Sequence, residues 1–290
     1  MRTLEQAVHE FTVNLNLSDR ERREAKRQKE VLRANLRAWP VVQRDFISGS
    51  YKRGTAIRPL HDIDLFLVLD RNKDPKLTSA SPHEVLLELR ERLRAAYPER
   101  RDLPKLQNRS VNIQFDGTGI GYDVVPAFSR KGHYLVPDRD LKRWIQSRPD
   151  DHVAVLDRAV KRVGEKLKPL IRMLKAGNQE SGKPLRSFHL EVMACAVLKK
   201  PPSSYLEGLQ VLFSGLAEAV LQPCPEPARL GPALDADLTP GQREQAQTRL
   251  RSAAREVRLA VGDAEHGRLG LAHSRLFKLF GPAYPERGSR

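Results

Sequence analysis

The 290-residue chain holds only two cysteines, Cys195 and Cys224. One sits in the apolar stretch VMACAVL and the other in the proline-rich QPCPEPARLGPALDADL, so a disulfide framework is not expected and a cytoplasmic setting is. Long hydrophobic runs are missing as well. LFLVL, residues 65–69, is among the longest, far below the ~20 apolar residues of a membrane span. The opening MRTLEQAVHEF has no apolar core of a secretory signal. Acidic residues are in deficit, 36 against 51 Lys plus Arg, which leaves a net charge of +15. That excess suits polyanionic partners such as nucleic acid or nucleoside triphosphates, and it equally suits a solvated basic surface. RERREAKRQK, residues 20–29, reads as the latter, one exposed face of a helix.

A hydrophobic content of 40% in a chain of this length supports one large domain or two lobes. Ser18 followed by Glu21 is a capping box for a helix running to Arg37, with Val31, Leu32 and Leu36 as its late apolar positions. DFISG is a strand candidate, and DIDLFLVLD alternates before turning continuously apolar, as a half-covered central strand does. Ser81-Pro82-His83-Glu84 opens another helix, with Val85, Leu86, Leu89 and Leu93 on one face. SVNIQF and GYDVVPAF form a hairpin around Asp-Gly-Thr-Gly. From Asp151 the period becomes helical, through Leu156, Val160, Val163, Leu167, Leu170, Ile171 and Leu174, with a kink expected at Pro169. RSFHLEVMACAVLKK and SYLEGLQVLFSGLAEAVL are further helices, and Thr239-Pro240 opens the last amphipathic one. The expected architecture is α+β: a catalytic lobe over residues 1–150, with a mixed sheet and an N-terminal helix, then a helical lobe over 151–290. A cleft between them is the expected active site.

The chemistry points to that sheet. Asp62 and Asp64 are one residue apart on a strand and leave the same face. Two neighbouring carboxylates repel unless a cation lies between them, and their oxygens suit Mg²⁺. Asp123 begins a strand that can pair beside them and supply a third carboxylate, although a solvent-facing strand end reads equally from that residue alone. Three acids on adjacent strands can hold two metal ions for in-line attack at phosphorus. Upstream, Gly49 permits close backbone approach and Ser50 offers a hydroxyl to phosphate oxygens.

GSYKRGTAIRPLHDIDLFLVL with the later YDVVPAF resembles the DNA polymerase β-like nucleotidyltransferase superfamily. More narrowly, it is similar to the branch holding cyclic GMP-AMP synthase, oligoadenylate synthetase and the bacterial CD-NTases. HYLVPDRDLKRWIQSRPDDH is similar to the bacterial family's linker. LIRMLKAGNQESGKPLRSFHLEVM is similar to its helical-lobe signature, and SRLFKLFGPAYPE to its closing helix. The resemblance implies that Asp62, Asp64 and Asp123 hold two Mg²⁺, with Mn²⁺ as a substitute. It implies that Gly49, Ser50, Lys175 and Ser187 contact a donor triphosphate and that Phe188 stacks on its base. One departure is Gly177, where the family carries Trp; the glycine is expected to end its helix before the QESGKP loop.

With two cysteines the chain lacks the zinc thumb of the vertebrate DNA sensor, so double-stranded DNA sensing is not expected. The resemblance implies a CD-NTase of anti-phage (CBASS) signalling. It would join nucleoside triphosphates, ATP among them, into a cyclic di- or trinucleotide with release of pyrophosphate, with or without a regulatory partner protein and with no membrane involvement. A linear template-free enzyme, similar to oligoadenylate synthetase or tRNA nucleotidyltransferase, is one alternative. A basic RNA-binding protein with a degenerate transferase fold is the other. The stretch Gln146-Ser147-Arg148 is expected as a loop bearing on base choice.

Overall fold

The computed structural model describes residues 2–98 and 104–285. In chain order the first elements are α1 (Leu4–Leu15), α2 (Asp19–Arg37), β1 (Val42–Ile47), α3 (Gly49–Arg53), β2 (Asp62–Leu69), α4 (Pro75–Ser79) and α5 (Pro82–Ala96). There follow β3 (Lys105–Leu106), β4 (Val111–Gln114), β5 (Gly121–Arg130), β6 (His133–Asp138) and β7 (Arg143–Ser147). The remainder is helical: α6 (Pro149–Val163), α7 (Leu167–Glu180), α8 (Ser187–Val197), α9 (Tyr205–Ala219), α10 (Pro240–Glu265) and α11 (Leu269–Phe280). Internal contacts divide the chain into a helical unit, residues 1–16, 55–58 and 152–290, and a sheet unit, residues 17–54 and 59–151.

In the sheet unit the strands run in the order β1-β2-β5-β4-β3, with β6 on the far half of β5 and β7 beside β6. β2 and β5 are parallel and the other pairs antiparallel, so the sheet is mixed. The period-two alternation sorts side chains cleanly. Ile63, Leu65 and Leu67 of β2 and Tyr122 and Val124 of β5 are fully buried on one face. Tyr122 there donates from its hydroxyl to the Ala25 carbonyl of α2 at 2.6 Å. The other face carries Asp62, Asp64 and Asp123 at the strand starts. Farther along, Phe66, Val125 and Ala127 form an apolar cluster with Val136, Phe46, Tyr134 and Ile145.

Ser18 and Ser81 cap α2 and α5 by the capping boxes that their spacing predicts, and Val85, Leu86, Leu89 and Leu93 are all buried. On α2 the buried positions are Ala25, Gln28, Leu32 and Leu36, whereas Val31 remains exposed and the arginine-rich face is outermost. Gln28 enters the interior because its amide donates to the Thr118 hydroxyl of the β4–β5 turn at 2.8 Å.

The expected lobe of residues 1–150 includes the N-terminal helix. The structure instead packs Leu4, Val8, Phe11 and Leu15 of α1 into the core of the helical unit, with α7, α9 and α11. Phe11 lies 4.8 Å from the Phe280 ring and 5.7 Å from the Tyr284 ring, centroid to centroid. The kink expected at Pro169 is instead a break between two helices. α6 stops before Gly164 at φ 84°, and Pro169 is the third residue of α7, where a missing N–H costs nothing. Gly177 does not end its helix either, since α7 continues to Glu180. Its bare Cα faces Phe280 and Phe213, and a Cβ there would stand 3.5 Å and 3.7 Å from those rings. Cys195 and Cys224 are both buried and unpaired with each other.

Candidate active site

The functional face is assembled by strand register. Asp62 and Asp64 alternate on β2, and the parallel β5 sets Asp123 opposite Asp64 and Gly121 opposite Asp62. β4 then brings Asn112 opposite Asp123. One cross-strand row therefore reads Asp64, Asp123, Asn112, with adjacent strands about 4.8 Å apart. Asn112 Nδ2 donates to Asp123 Oδ1 at 2.8 Å and reaches Asp62 Oδ1 at 3.4 Å. Burial pushes the Asp123 carboxyl up to about 6, helped by the neighbouring Asp62 and Asp64 charges and opposed by hydrogen bonds from Asn112 and Gln107. A carboxylate raised by burial, and further by like charges, is one that a cation would relieve.

Two glycines make room for these acids. Gly49 adopts φ 65°, and a Cβ on it would lie 1.6 Å from Asp64 Oδ2, inside the carboxylate. The backbone N–H of Ser48 donates to the Asp64 carbonyl at 2.9 Å, which pins the turn into α3 against β2. Ser50, half-buried, follows in the first turn of that helix. A Cβ on Gly121 would stand 2.9 Å from Asp62 Oδ1 and 3.2 Å from Asn112 Nδ2.

The remaining expected residues lie in the helical unit. Ser187 is exposed at the start of α8, a helix whose first turn receives no side-chain cap. Phe188 follows, half-buried, with its ring 4.7 Å from that of His152. Lys175 lies on α7. Its ammonium is buried, ion-paired with Glu191 of α8, and it donates to the Thr55 carbonyl at 2.9 Å. A charge that far from water needs an opposite charge beside it, and Glu191 provides one. Gln146 and Ser147 are the last residues of β7 instead of a loop, and Arg148 donates to the Gly132 carbonyl at 2.7 Å.

Three residues at the carboxylates escaped the sequence reading: Asn112, Gln107 and Gly121. The hairpin contained the signal for two of them. Counting outward from Asp116–Gly119 pairs Phe115 with Ile120, Gln114 with Gly121 and Asn112 with Asp123, as the structure does. Gln107 has no such signal, because its hydrogen bond to Asp123 comes from the short β3–β4 turn.

No three His, Cys, Asp or Glu side chains among the described residues close into a finished metal cage. The donor set nonetheless fits a hard divalent cation: it is all carboxylate oxygen, half-buried in part, and carries a repulsion that lifts Asp123. No helix among the described residues is long and apolar enough to cross a membrane.

A mixed sheet with paired acids on parallel neighbours and a following helical unit defines a nucleotidyltransferase-type fold. The family model described as "Second Messenger Oligonucleotide or Dinucleotide Synthetase domain" matches residues 1–159. The chain belongs to that family and is a bacterial CD-NTase. Among curated proteins it is 29% identical over 186 residues to a cyclic AMP-AMP-AMP synthase of an Acinetobacter strain, a match over 60% of this chain and 50% of the relative. The chain thus spans about half the length of that relative. Two solved structures share the fold. CdnC of Escherichia coli MS115-1, in complex with HORMA-deltaN, superposes with TM-score 0.76 at 20% identity, over 97% of this chain and 98% of that one. The Vibrio cholerae DncV cyclic AMP-GMP synthase, bound to a linear intermediate, superposes with TM-score 0.77 at 14% identity, over 96% and 97%.

Proposed function

We propose that this chain is a CD-NTase that joins nucleoside triphosphates, ATP among them, into a cyclic oligonucleotide second messenger of CBASS-type defence. The observation that carries the reading is the row of Asp64, Asp123 and Asn112 with Asp62 beside it, three acids gathered on parallel strands at the end of the sheet. Asp62, Asp64 and Asp123 would hold divalent cations, Mg²⁺ or Mn²⁺. When bound, such ions lower the pKa of the attacking hydroxyl and offset charge on the triphosphate.

In the reaction a ribose hydroxyl of one nucleotide attacks the α-phosphorus of another. A new P–O bond forms, the bond to pyrophosphate breaks, and the hydroxyl proton is lost. A second such step within the linear product closes the ring. Around this chemistry Gly49 brings the backbone of the first turn of α3 close to Asp64, where a triphosphate can meet it, and Ser50 offers its hydroxyl. Ser187, at the uncapped start of α8, is a further phosphate donor, and Phe188 a base-stacking surface. Lys175 takes no part in phosphate contact in this reading, because Glu191 and Thr55 hold it. The name of the Acinetobacter relative makes adenine the first base to test. The HORMA-bound relative supports a regulatory protein partner for this chain as well.

The test is incubation of the purified full chain with all four nucleoside triphosphates and Mg²⁺, followed by phosphatase and mass spectrometry, beside Asp62→Ala/Asp64→Ala. A phosphatase-resistant product absent from the double variant is expected. A phosphatase-sensitive ladder would replace this reading with a linear polymerase, and RNA binding without turnover would leave only a binding protein.

A further inference from the structure

The amide of Asn112 does something that the carboxylates cannot do for themselves. The Asp62 and Asp123 carboxylates lie close together, and one neutral amide with two hydrogens reaches both. Carboxylates only accept, so the nitrogen end of the amide must face them. A lysine or arginine in that place would also satisfy the oxygens. It would cancel the negative charge that draws a divalent cation, however, and compete with that cation for the site. An amide orients the acids without neutralising them.

The neighbourhood is built to keep Asn112 in place. Cross-strand register fixes it opposite Asp123, and Gly121 leaves the space in which its Nδ2 meets Asp62 Oδ1. Behind it, Ser110 is buried and donates from its hydroxyl to Gln107 Oε1 at 2.5 Å. The Gln107 backbone N–H returns a bond to the Ser110 carbonyl at 2.9 Å. The Gln107 side chain acts on the same carboxylate as a second neutral donor, opposing the rise that burial causes.

We propose that Asn112, supported by Gln107 and Ser110, is a positioning residue. It holds the Asp62 and Asp123 carboxylates in one spacing and orientation, so that a divalent cation meets acids already arranged. The inference rests on the functional reading above. Outer partners of metal-holding carboxylates typically govern affinity by about 10–100-fold.

Binding of Mn²⁺ to the full chain, with no nucleotide present, is measured by electron paramagnetic resonance for the wild type, Asn112→Ala and Gln107→Ala. Turnover is titrated with Mg²⁺ in parallel. Asn112→Ala is expected to bind Mn²⁺ about 10–100-fold more weakly. Its turnover should recover as Mg²⁺ is raised, which a merely structural defect would not do. Gln107→Ala, at an exposed position, is expected to shift the same midpoints in the same direction by a smaller factor, and it decides the matter if Asn112→Ala does not fold. Unchanged Mn²⁺ affinity in the folded variants, beside a wild type that binds Mn²⁺ and makes product, overturns the positioning role alone. A wild type that neither binds Mn²⁺ nor makes product overturns the functional reading and this inference together.

Discussion

Asp123 and Gly49 are where single atoms decide most. The carboxyl of Asp123 sits near 6 in the folded chain against an ordinary 3.8, chiefly through burial. A raised carboxyl binds its proton more tightly when folded, so its contribution to stability is complete below about pH 4 and is lost as pH climbs through about 6. In metal-free protein the loss amounts to roughly 3 kcal/mol. Denaturant melts across pH 4–7 should show that decline in the wild type, and Asp123→Asn should lack that part of it. Gly49 is constrained twice, by φ 65° and by the Asp64 carboxylate filling the space of a side chain. Gly49→Ala must shift the turn or the acid, which costs about 1–3 kcal/mol by the usual price of such strain. Thermal unfolding should record that loss, and synthesis of the oligonucleotide should fall with it. Asp62 and Asp64 were visible as a same-face pair from spacing alone. The amide that reaches Asp62 was not, because Asn112 lies some fifty positions downstream on a different strand.

Among the elements, α7 departs furthest from its sequence reading. Its period was evident, yet Pro169 and Gly177 were read as a kink and an end. Both signals are local propensities, and packing overrode them: Gly164 had already broken the helix, and Phe280 and Phe213 cover the bare face of Gly177. Lys175 on the same helix joins α8 and the 55–58 segment through Glu191 and Thr55. Lys175→Met leaves Glu191 buried without its partner and is expected to destabilise the helical unit by about 3–5 kcal/mol. Lys175→Met/Glu191→Leu removes both charges and should recover most of that loss. Chemical denaturation of the two variants checks this, and a double variant no better than the single would show that the pair is not the source. The β4–β5 hairpin behaves in the opposite way. Its register follows from the Asp116–Gly119 turn, because a short turn leaves antiparallel strands little freedom to slip.

The whole molecule couples a repulsive acid row to a strongly basic chain of net charge +15. A ligand that binds only the folded state adds stability in proportion to the logarithm of its concentration. Mn²⁺ or Mg²⁺ should therefore raise the melting temperature of the wild type and leave that of Asp62→Asn/Asp64→Asn unmoved, as differential scanning calorimetry would show. By itself the sequence determined the mixed sheet followed by helices, the capped starts of α2, α5 and α10, and the paired acids of β2. Each depends on periodicity and on neighbours within a few residues. Tertiary structure alone decided that α1 packs with the C-terminal helices, that Lys175 is held by Glu191, and that Asn112 reaches Asp62. The physical reason is the same in each case. Burial and hydrogen bonding reward contacts between residues far apart in the chain, and nothing in local propensity records which distant partner will be there.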